Sequence, residues 1–281
     1  MGGAISKIVF QPPRYPGGPP GGPPGAPDLI ALKTKSGETI HAIHIKSGGS
    51  LTLLYSHGNA EDILMAFSFF KSVSAALKVD LLLYEYVGYG CSSGSPSEAG
   101  VYESVEAAFH YLTKELQIPP SSIVAYGRSL GSGPSVHLCA RERVGGLILQ
   151  SALLSVHRVA LRLRFSLPFD LFKNINKIKK VFCPVFCIHG TNDEVVPIYH
   201  GIELYKRAPL TVSPMWVEGA GHNNLEIVAG DLFFLALSRF LRLVQQQQQQ
   251  LLLQQQLQQQ QQQQEEQQQP PAAVVAAAEG A

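Results

Sequence analysis

Residues 123–131 read Ile-Val-Ala-Tyr-Gly-Arg-Ser-Leu-Gly. The first four residues are apolar and predict a strand, and the segment that follows Gly131 has the pattern of a helix. A serine flanked by glycines at a strand-to-helix turn is typical of a nucleophile elbow, because a tight turn lifts the hydroxyl above the sheet only where the neighbours lack side chains. Ser129 is therefore the candidate nucleophile.

Two later motifs supply an acid and a base. Asp193 lies in His-Gly-Thr-Asn-Asp-Glu-Val-Val-Pro (residues 189–197), directly after the apolar run 184–188. His222 lies in Glu-Gly-Ala-Gly-His-Asn-Asn (residues 218–224), after the strand-like run 215–217. The order serine, acid, histidine is that of α/β hydrolases. A serine hydroxyl needs an imidazole to take its proton, and the imidazole needs a carboxylate to fix its tautomer.

Glu194 is an alternative acid. We favour Asp193, because Val195 and Val196 indicate that the chain is already returning to the core after Glu194. The oxyanion that forms during acyl transfer also needs backbone donors. The predicted donors are the N–H groups of Leu130, after the nucleophile, and of Asn59, in the turn 56–60.

Other titratable residues have simpler interpretations. His57 and His189 lie beside glycines after predicted strands, where a role in a turn is the simpler account. Asp170 is interpreted as a surface residue and Asp231 as a helix residue. His222 is favoured as the base, because only it follows the acid and lies in a loop before the last helix.

Strands alternate with helical segments between residues 28 and 243. Strands are predicted near residues 29–33, 40–45, 51–56, 81–85, 123–126, 146–150, 184–188 and 215–217, and the clearest helix runs from Ser97 or Glu98 to Leu116. This alternation predicts an α/β fold with a mostly parallel sheet, helices on both faces and a small cap-like insertion. Reactive residues belong at the carboxyl ends of such strands.

Composition limits the classes of partner. The net charge of +1 argues against a nucleic-acid partner, which requires a basic surface. The sequence contains no run of 18 apolar residues, so no membrane-spanning helix is predicted. The 4 cysteines lack the paired spacing of a metal site. We expect no metal or cofactor, and a reducing compartment.

The first residues, Met-Gly-Gly-Ala-Ile-Ser, fit the N-myristoylation pattern, with Gly2 as the modified residue. Residues 1–11 are then a lipid-anchor segment and residues 12–27 a Pro/Gly-rich tether; a frayed terminus is the alternative. Because one myristoyl chain binds membranes only marginally, a second signal is expected. Between residues 154 and 180 the sequence has seven basic residues and a single acidic one, Asp170. The basic residues form a candidate membrane-docking patch: Arg158, Arg162, Arg164, Lys173, Lys177, Lys179 and Lys180. A solvated helical face explains this composition equally well.

The last segment, residues 244–281, is mostly glutamine. This composition predicts a disordered or weakly helical tail that carries no chemistry.

Four motifs together resemble the alpha/beta hydrolase domain-containing protein 17 family of membrane-associated depalmitoylases. They are Met-Gly-Gly with Phe-Gln-Pro-Pro (residues 10–13), Tyr-Ser-His-Gly-Asn-Ala-Glu-Asp (55–62), Tyr-Val-Gly-Tyr-Gly-Cys-Ser-Ser-Gly (86–94) and Tyr-Gly-Arg-Ser-Leu-Gly-Ser-Gly (126–133), and the Asp193 and His222 motifs join them. The resemblance covers roughly residues 1–230. The chain differs at Glu85, where the family pattern leads us to expect an aspartate, and it lacks the N-terminal cysteine cluster of the animal members.

The resemblance implies that Ser129 forms an acyl-enzyme, that Asp193 and His222 complete the relay, and that fatty acyl thioesters of membrane proteins are the substrates. Together with the Gly2 pattern, it predicts a peripheral, lipid-anchored location on the cytoplasmic face of membranes. A general carboxylesterase or peptidase of the same fold is the alternative, because the fold does not define the acyl pocket. A catalytically silent membrane-tethered adaptor is a third.

Overall fold

The computed structural model describes residues 9–13, 28–165 and 167–268. Within these ranges eight strands form one sheet. The strands are β1 (Ile30–Lys33), β2 (Thr39–Ile45), β3 (Thr52–Ser56), β4 (Asp80–Tyr84), β5 (Ile123–Arg128), β6 (Gly146–Gln150), β7 (Val185–Gly190) and β8 (Met215–Val217). The α-helices are α1 (Ile63–Leu77), α2 (Glu98–His110), α3 (Ser132–Cys139), α4 (Val156–Ala160), α5 (Asn174–Lys177), α6 (Tyr199–Arg207), α7 (Leu225–Ala229) and α8 (Asp231–Gln268).

The strand order is β1-β2-β4-β3-β5-β6-β7-β8. β2 is antiparallel to β1 and to β4, and the other neighbouring pairs are parallel. Every residue of β3, β6 and β7 is buried. Strands covered on both faces read as continuous apolar runs, which is why the sequence signal for them was strong. The predicted mostly parallel sheet is confirmed.

Helices cover both faces of this sheet. On one face, α1 and α8 contribute Phe67, Phe70, Phe233 and Phe240 to a buried cluster. On the other face, the buried cluster contains apolar side chains of α2, α3 and α6. The two clusters sandwich the sheet, so the central strands are rigidly held and their carboxyl ends form a fixed platform.

Helix α2 begins where the sequence predicts. The Ser97 side chain accepts the N–H of Gly100 at 3.0 Å, which satisfies a free donor of the first turn. The regular α-helix ends at His110, and the chain continues as a π-helical turn over Tyr111–Glu115. The predicted end at Leu116 therefore includes a final turn that is wound more widely than an α-helix.

Phe10, which precedes the first strand of the sheet by 20 residues, also contributes to the core. Phe10 is only 4% exposed, and its ring meets that of Phe172 edge-on at a centroid distance of 6.0 Å. The sequence pattern instead predicted that Phe10 belongs to an anchor segment outside the core. Phe10 lies in a short apolar stretch that ends at the Pro/Gly-rich tether, and so short a stretch gives no periodic signal that would predict its docking.

The prediction that Asp170 is a surface residue is wrong. Asp170 is 5% exposed, and its Oδ1 atom accepts the backbone N–H of His157 at 2.8 Å. His157 lies in the first turn of α4, where backbone N–H groups have no partner within the helix. The carboxylate is buried because it supplies that acceptor from a position 13 residues later in the chain.

The glutamine-rich segment is helical as far as it is described. Helix α8 packs on the core through Val244 and continues to Gln268. Just beyond the core, Gln245 donates to the Ser50 hydroxyl at 3.0 Å, and Gln248 donates to Ser122. Glutamine has a high helix propensity, so a helix that is already nucleated on the core extends through it.

Candidate active site

Ser129 lies at the carboxyl end of the central strand β5. Its φ of 52° is left-handed, and the 3₁₀ turn Ser129–Gly131 leads directly into α3. A left-handed serine is strained, and such strain persists only where the surroundings enforce it. A Cβ atom at Gly131 would lie 2.0 Å from the Ser56 carbonyl oxygen, and one at Gly127 would lie 2.5 Å from the Gly131 oxygen. The elbow therefore requires both glycines.

The structure brings the predicted nucleophile, base and acid together. The Nε2 atom of His222 lies 3.1 Å from the Ser129 hydroxyl, and its Nδ1 atom lies 2.8 Å from Oδ2 of Asp193. All three side chains are buried, with residue exposures of 6 to 9%. This arrangement allows the hydroxyl proton to pass to Nε2 while the carboxylate fixes the proton on Nδ1.

Backbone donors orient the acid. The Oδ1 atom of Asp193 accepts the N–H groups of Val195 and Val196 at 3.0 and 2.7 Å, so Oδ2 is turned toward His222. Glu194, the alternative acid, instead accepts the backbone N–H of His222 at 3.3 Å. The geometry therefore favours Asp193 as the acid and gives Glu194 a role in holding the histidine loop.

His189 also contacts Asp193, which its position beside a glycine after a strand did not predict. Its Nε2 atom lies 3.3 Å from Oδ2 of Asp193 and 2.7 Å from the Val196 carbonyl oxygen. Burial alone would raise the pKa of Asp193, but hydrogen bonds from His189 and His222 outweigh it and hold that pKa well below its usual range. Asp193 is therefore ionised at neutral pH, as an acid that stabilises an imidazolium must be.

The predicted oxyanion donors lie in the expected elements. Leu130 follows Ser129 in the turn that leads to α3. The side chain of Asn59 is engaged by the N-terminal segment: its Nδ2 donates to the Val9 carbonyl at 2.7 Å, and its Oδ1 accepts from the Gln11 N–H at 3.1 Å. These bonds hold the Asn59 turn in place, and the role of the Asn59 backbone N–H as an oxyanion donor stays a prediction.

His57 has more than a turn role. Its Nε2 atom lies 3.3 Å from Oε2 of Glu85, and both side chains are almost fully buried. Burial alone would lower the pKa of His57, but the hydrogen bond and charge of Glu85 outweigh it and raise that pKa. Oε1 of Glu85 accepts the N–H of Ile63 at the start of α1. Glu85, which stands where the family pattern leads us to expect an aspartate, thus links the residue after β3 to the start of α1.

The seven bases of the candidate docking patch have different environments. Arg162, Lys179 and Lys180 are exposed, and Arg158 and Lys173 are partly buried. The Arg164 guanidinium lies over the Tyr199 ring at 4.1 Å. Lys177 lies 3.9 Å from the Glu98 carboxylate and donates to the Tyr102 hydroxyl. Lys177 therefore contributes little charge to an outer surface.

Gly2 and most of the predicted tether lie outside the described residues. Within the part of the chain that is described, no helix combines the length and the hydropathy needed to cross a bilayer. The same ranges hold no cluster of three or more histidine, cysteine or acidic side chains arranged to bind a metal ion.

Solved structures of α/β hydrolases match this fold. A Pyrococcus furiosus esterase superposes with a TM-score of 0.67 over 83% of this chain and 98% of that chain, at 17% identity. Alpha/beta hydrolase domain-containing protein 10 from mouse superposes with a TM-score of 0.59 over 77% of this chain and 99% of that chain, at 15% identity. At such identities the likeness concerns the fold alone, and the predicted α/β-hydrolase fold is confirmed.

Sequence relatives are more specific. A family model described as "Chlamydia CHLPS protein (DUF818)" matches residues 40–143. Alpha/beta hydrolase domain-containing protein 17C from Xenopus laevis is 41% identical over 72% of this chain and 66% of its own length. The human 17C protein is 44% identical over 63% of this chain and 54% of its own length, so the chain spans less than two thirds of these relatives.

The human 17B protein is 40% identical over 71% of this chain and 70% of its own length. These sequence relatives are all named as alpha/beta hydrolase domain-containing proteins. The predicted resemblance is confirmed: the chain belongs to the alpha/beta hydrolase domain-containing protein 17 family.

Proposed function

We propose that this protein is a serine hydrolase that removes fatty acyl groups from cysteine thioesters of membrane-associated proteins. The observation that carries the proposal is the buried contact of His222 with both Ser129 and Asp193, at 3.1 and 2.8 Å. These distances suit proton transfer between the hydroxyl and the imidazole without rearrangement. The thioester class follows from the family resemblance.

The reaction has two halves. In the first, the Ser129 oxygen attacks the thioester carbonyl while Nε2 of His222 takes the hydroxyl proton, and Asp193 stabilises the imidazolium. The N–H groups of Leu130 and Asn59 are the proposed donors to the oxyanion. The C–S bond then breaks, the thiolate leaves with the proton of His222, and Ser129 is acylated.

In the second half, a water molecule attacks the acyl-enzyme while His222 takes one of its protons. The ester bond to Ser129 breaks, the serine oxygen recovers the proton, and the fatty acid departs. A thiol with a pKa of about 8.5 is a far better leaving group than an amine. Thioester hydrolysis therefore depends less on protonation of the leaving group by a general acid than peptide hydrolysis does.

The test compares a palmitoylated peptide thioester with its oxygen-ester analogue. We expect faster turnover of the thioester by the wild type and loss of both activities in Ser129→Ala. Ser72→Ala, at an exposed serine of α1, is the matched control and should behave as the wild type. Preference for the oxygen ester would favour a general carboxylesterase, and no turnover of either substrate would favour an adaptor.

The location and partners are part of the proposal. Myristoylation of Gly2 and contact of the basic stretch with anionic lipid would place the site near acylated membrane proteins. Exposed apolar side chains support this, because Leu161, Phe165 and Phe169 are 57, 60 and 87% exposed beside the exposed Arg162. Apolar and basic side chains together suit the headgroup region of a membrane.

Vesicle sedimentation tests the docking. We expect charge reversal at four bases to weaken binding to anionic vesicles and to leave the weak binding to neutral vesicles unchanged: Arg158, Arg162, Lys179 and Lys180. Reversal of Lys206 and Arg207, exposed bases of α6, is the control. Equal binding by both variants would contradict the docking proposal and leave the hydrolase proposal intact.

A further inference from the structure

Arg128 immediately precedes the nucleophile, and its guanidinium contacts two other loops. Nη1 lies 3.0 Å from Oε2 of Glu61. Nη2 donates to Oδ1 of Asn223 at 2.9 Å and lies 3.5 Å from the carbonyl oxygen of His222. The three partners belong to segments that are 67 to 95 positions away in the chain. One side chain thus spans the elbow, the Asn59 turn and the histidine loop.

Glu61 links Arg128 to the turn that holds the predicted oxyanion donor. The same Oε2 atom that meets Arg128 accepts the backbone N–H of Gly58 at 2.8 Å. The hydroxyl of Tyr55, at the end of β3, lies 3.3 Å from it. Asn59, the predicted oxyanion donor, lies between Gly58 and Glu61, so the carboxylate closes a small ring of chain around it. A shift of Glu61 would move that turn.

Asn223 links Arg128 to the loop that carries His222. It directly follows His222, whose own backbone N–H is held by Glu194 at 3.3 Å. The bond from Arg128 to Asn223 fixes the next residue along the chain. Both sides of the imidazole-bearing residue are therefore anchored, and one anchor leads back to the residue beside Ser129.

The ion pair of Arg128 and Glu61 is partly buried, and the glycine at position 58 leaves space for the guanidinium. The side chains of Arg128 and Glu61 are 18 and 17% exposed, so water screens their attraction less than it screens a surface pair. A Cβ atom at Gly58 would lie 2.9 Å from Nη1 of Arg128, so a larger residue there would displace the guanidinium. A planar guanidinium presents two donors in a fixed geometry, which a lysine ammonium does not.

We propose that Arg128 is a positioning residue that holds the oxyanion turn through Glu61 and the base loop through Asn223 in a fixed relation to Ser129. The inference rests on the proposed serine-hydrolase chemistry but not on the thioester substrate. Arg128 acts through these loops and does not itself touch the reacting atoms. Its loss loosens the geometry of the reacting groups, which affects the chemical step more than substrate binding.

The experiment uses a fluorophosphonate probe and a short-chain oxygen ester. Labelling of Ser129 by the probe depends on its activation and on the oxyanion donors, whatever the natural substrate is. Because a misplacement of about 1 Å can cost roughly 100-fold in rate, we expect Arg128→Met to slow both labelling and kcat by about 30- to 100-fold, with KM changed by less than about twofold. Arg128→Lys should recover part of the rate, because it keeps the charge toward Glu61.

Glu61→Gln and the double variant test whether the two side chains act together. If they form one unit, the double variant is about as slow as the slower single variant; independent effects would multiply. Arg207→Met, which removes a guanidinium from the exposed pair with Glu203 on α6, is the matched control and should label at the wild-type rate. Thermal unfolding accompanies each measurement, and Asn223→Ala carries the test if Arg128→Met fails to fold.

Wild-type labelling rates in Arg128→Met, or in Asn223→Ala in its place, would overturn the positioning role. So would a loss confined to KM, or losses that multiply in the double variant. Slow turnover of palmitoyl thioesters by a wild type that labels rapidly would contradict only the proposed substrate. A wild type that reacts with neither probe nor ester would overturn both proposals.

Discussion

His189 shares the Asp193 carboxylate with His222: its Nε2 atom lies 3.3 Å from the Oδ2 atom that contacts His222. The same Nε2 atom lies 2.7 Å from the carbonyl oxygen of Val196. Because a carbonyl oxygen only accepts hydrogen bonds, Nε2 must carry a proton. This single N–H is therefore shared between the Val196 carbonyl and, at longer range, the Asp193 carboxylate, which has a histidine on either side.

We expect His189→Phe to lower kcat by about tenfold with little change in KM, because the aromatic ring keeps the volume while the donor to Asp193 is lost. His189→Gln, which retains an N–H donor, should be less affected. Steady-state kinetics on a short-chain ester provide the measurement. If the two variants were equally impaired, packing rather than hydrogen bonding would be the contribution of His189.

The second prediction concerns Gly131, the glycine that follows Leu130 in the elbow. A Cβ atom at Gly131 would lie 2.0 Å from the Ser56 carbonyl oxygen, which belongs to a rigid central strand. Neither backbone segment can move aside easily, so we expect Gly131→Ala to cost about 3 kcal/mol of stability, the upper end of the usual range for overpacking, and to abolish fluorophosphonate labelling.

Gly37→Ala is the control for this substitution. Gly37 has a φ of +89° but has no atom within 4 Å of an added Cβ, so the change introduces backbone strain without a clash. We expect a cost of about 1 to 2 kcal/mol and normal labelling. Chemical denaturation measures both costs, and similar values for the two variants would contradict the close approach at the elbow.

Much of this architecture could be predicted because its signals are local. The strands β6 and β8 lie where the apolar runs place them, at Gly146–Gln150 and Met215–Val217. The grouping of Ser129, Asp193 and His222 could be predicted because each follows a strand in a recognisable short motif, and the topology of a parallel sheet brings strand ends together.

What could not be predicted depends on contacts between distant parts of the chain. The burial of Asp170 depends on a free N–H 13 residues earlier, and the contact of Arg128 with Asn223 spans 95 residues. Neither pairing leaves a periodic or motif signal. Phe10 is similar, because only the folded chain reveals that Phe172 covers it.

His200 gives a prediction about pH. Burial and nearby positive charge lower its pKa to about 3, against the opposing effect of Asp193; the positively charged or titratable neighbours are His189, Arg158 and Arg164. The unfolded chain takes up this proton near pH 6.5. The contribution of His200 to stability is therefore complete above about pH 6.5 and is lost as the pH falls from there toward about 3, by up to about 1.4 kcal/mol per pH unit.

The variant His200→Gln removes this titration and can still accept the backbone N–H of Leu154, which His200 accepts through Nδ1 at 3.0 Å. Urea unfolding at about pH 7 and about pH 5 should show the wild type losing about 2 kcal/mol more than the variant. His110→Gln, at an exposed histidine, is the control and should follow the wild type. Parallel losses in all three proteins would argue against a neutral, buried His200.

Truncation of α8 tests how far the functional domain extends. Val244 is 1% exposed and ends the buried face of this helix, whereas Leu251, Leu252 and Leu253 are 49 to 57% exposed. We expect a chain that ends after Gln248 to keep wild-type turnover and unfolding temperature, because it retains the contacts of Gln245 and Gln248 with the domain.

A chain that ends before Phe240 is the contrasting truncation. It loses three side chains that are 3% exposed or less: Phe240, Leu241 and Val244. Because truncating one such aromatic side chain costs about 3 to 5 kcal/mol, this shorter chain should unfold near room temperature and lose fluorophosphonate labelling. Loss of activity already in the chain that ends after Gln248 would instead assign a functional role to the glutamine-rich helix, since that truncation leaves every buried residue of the core in place.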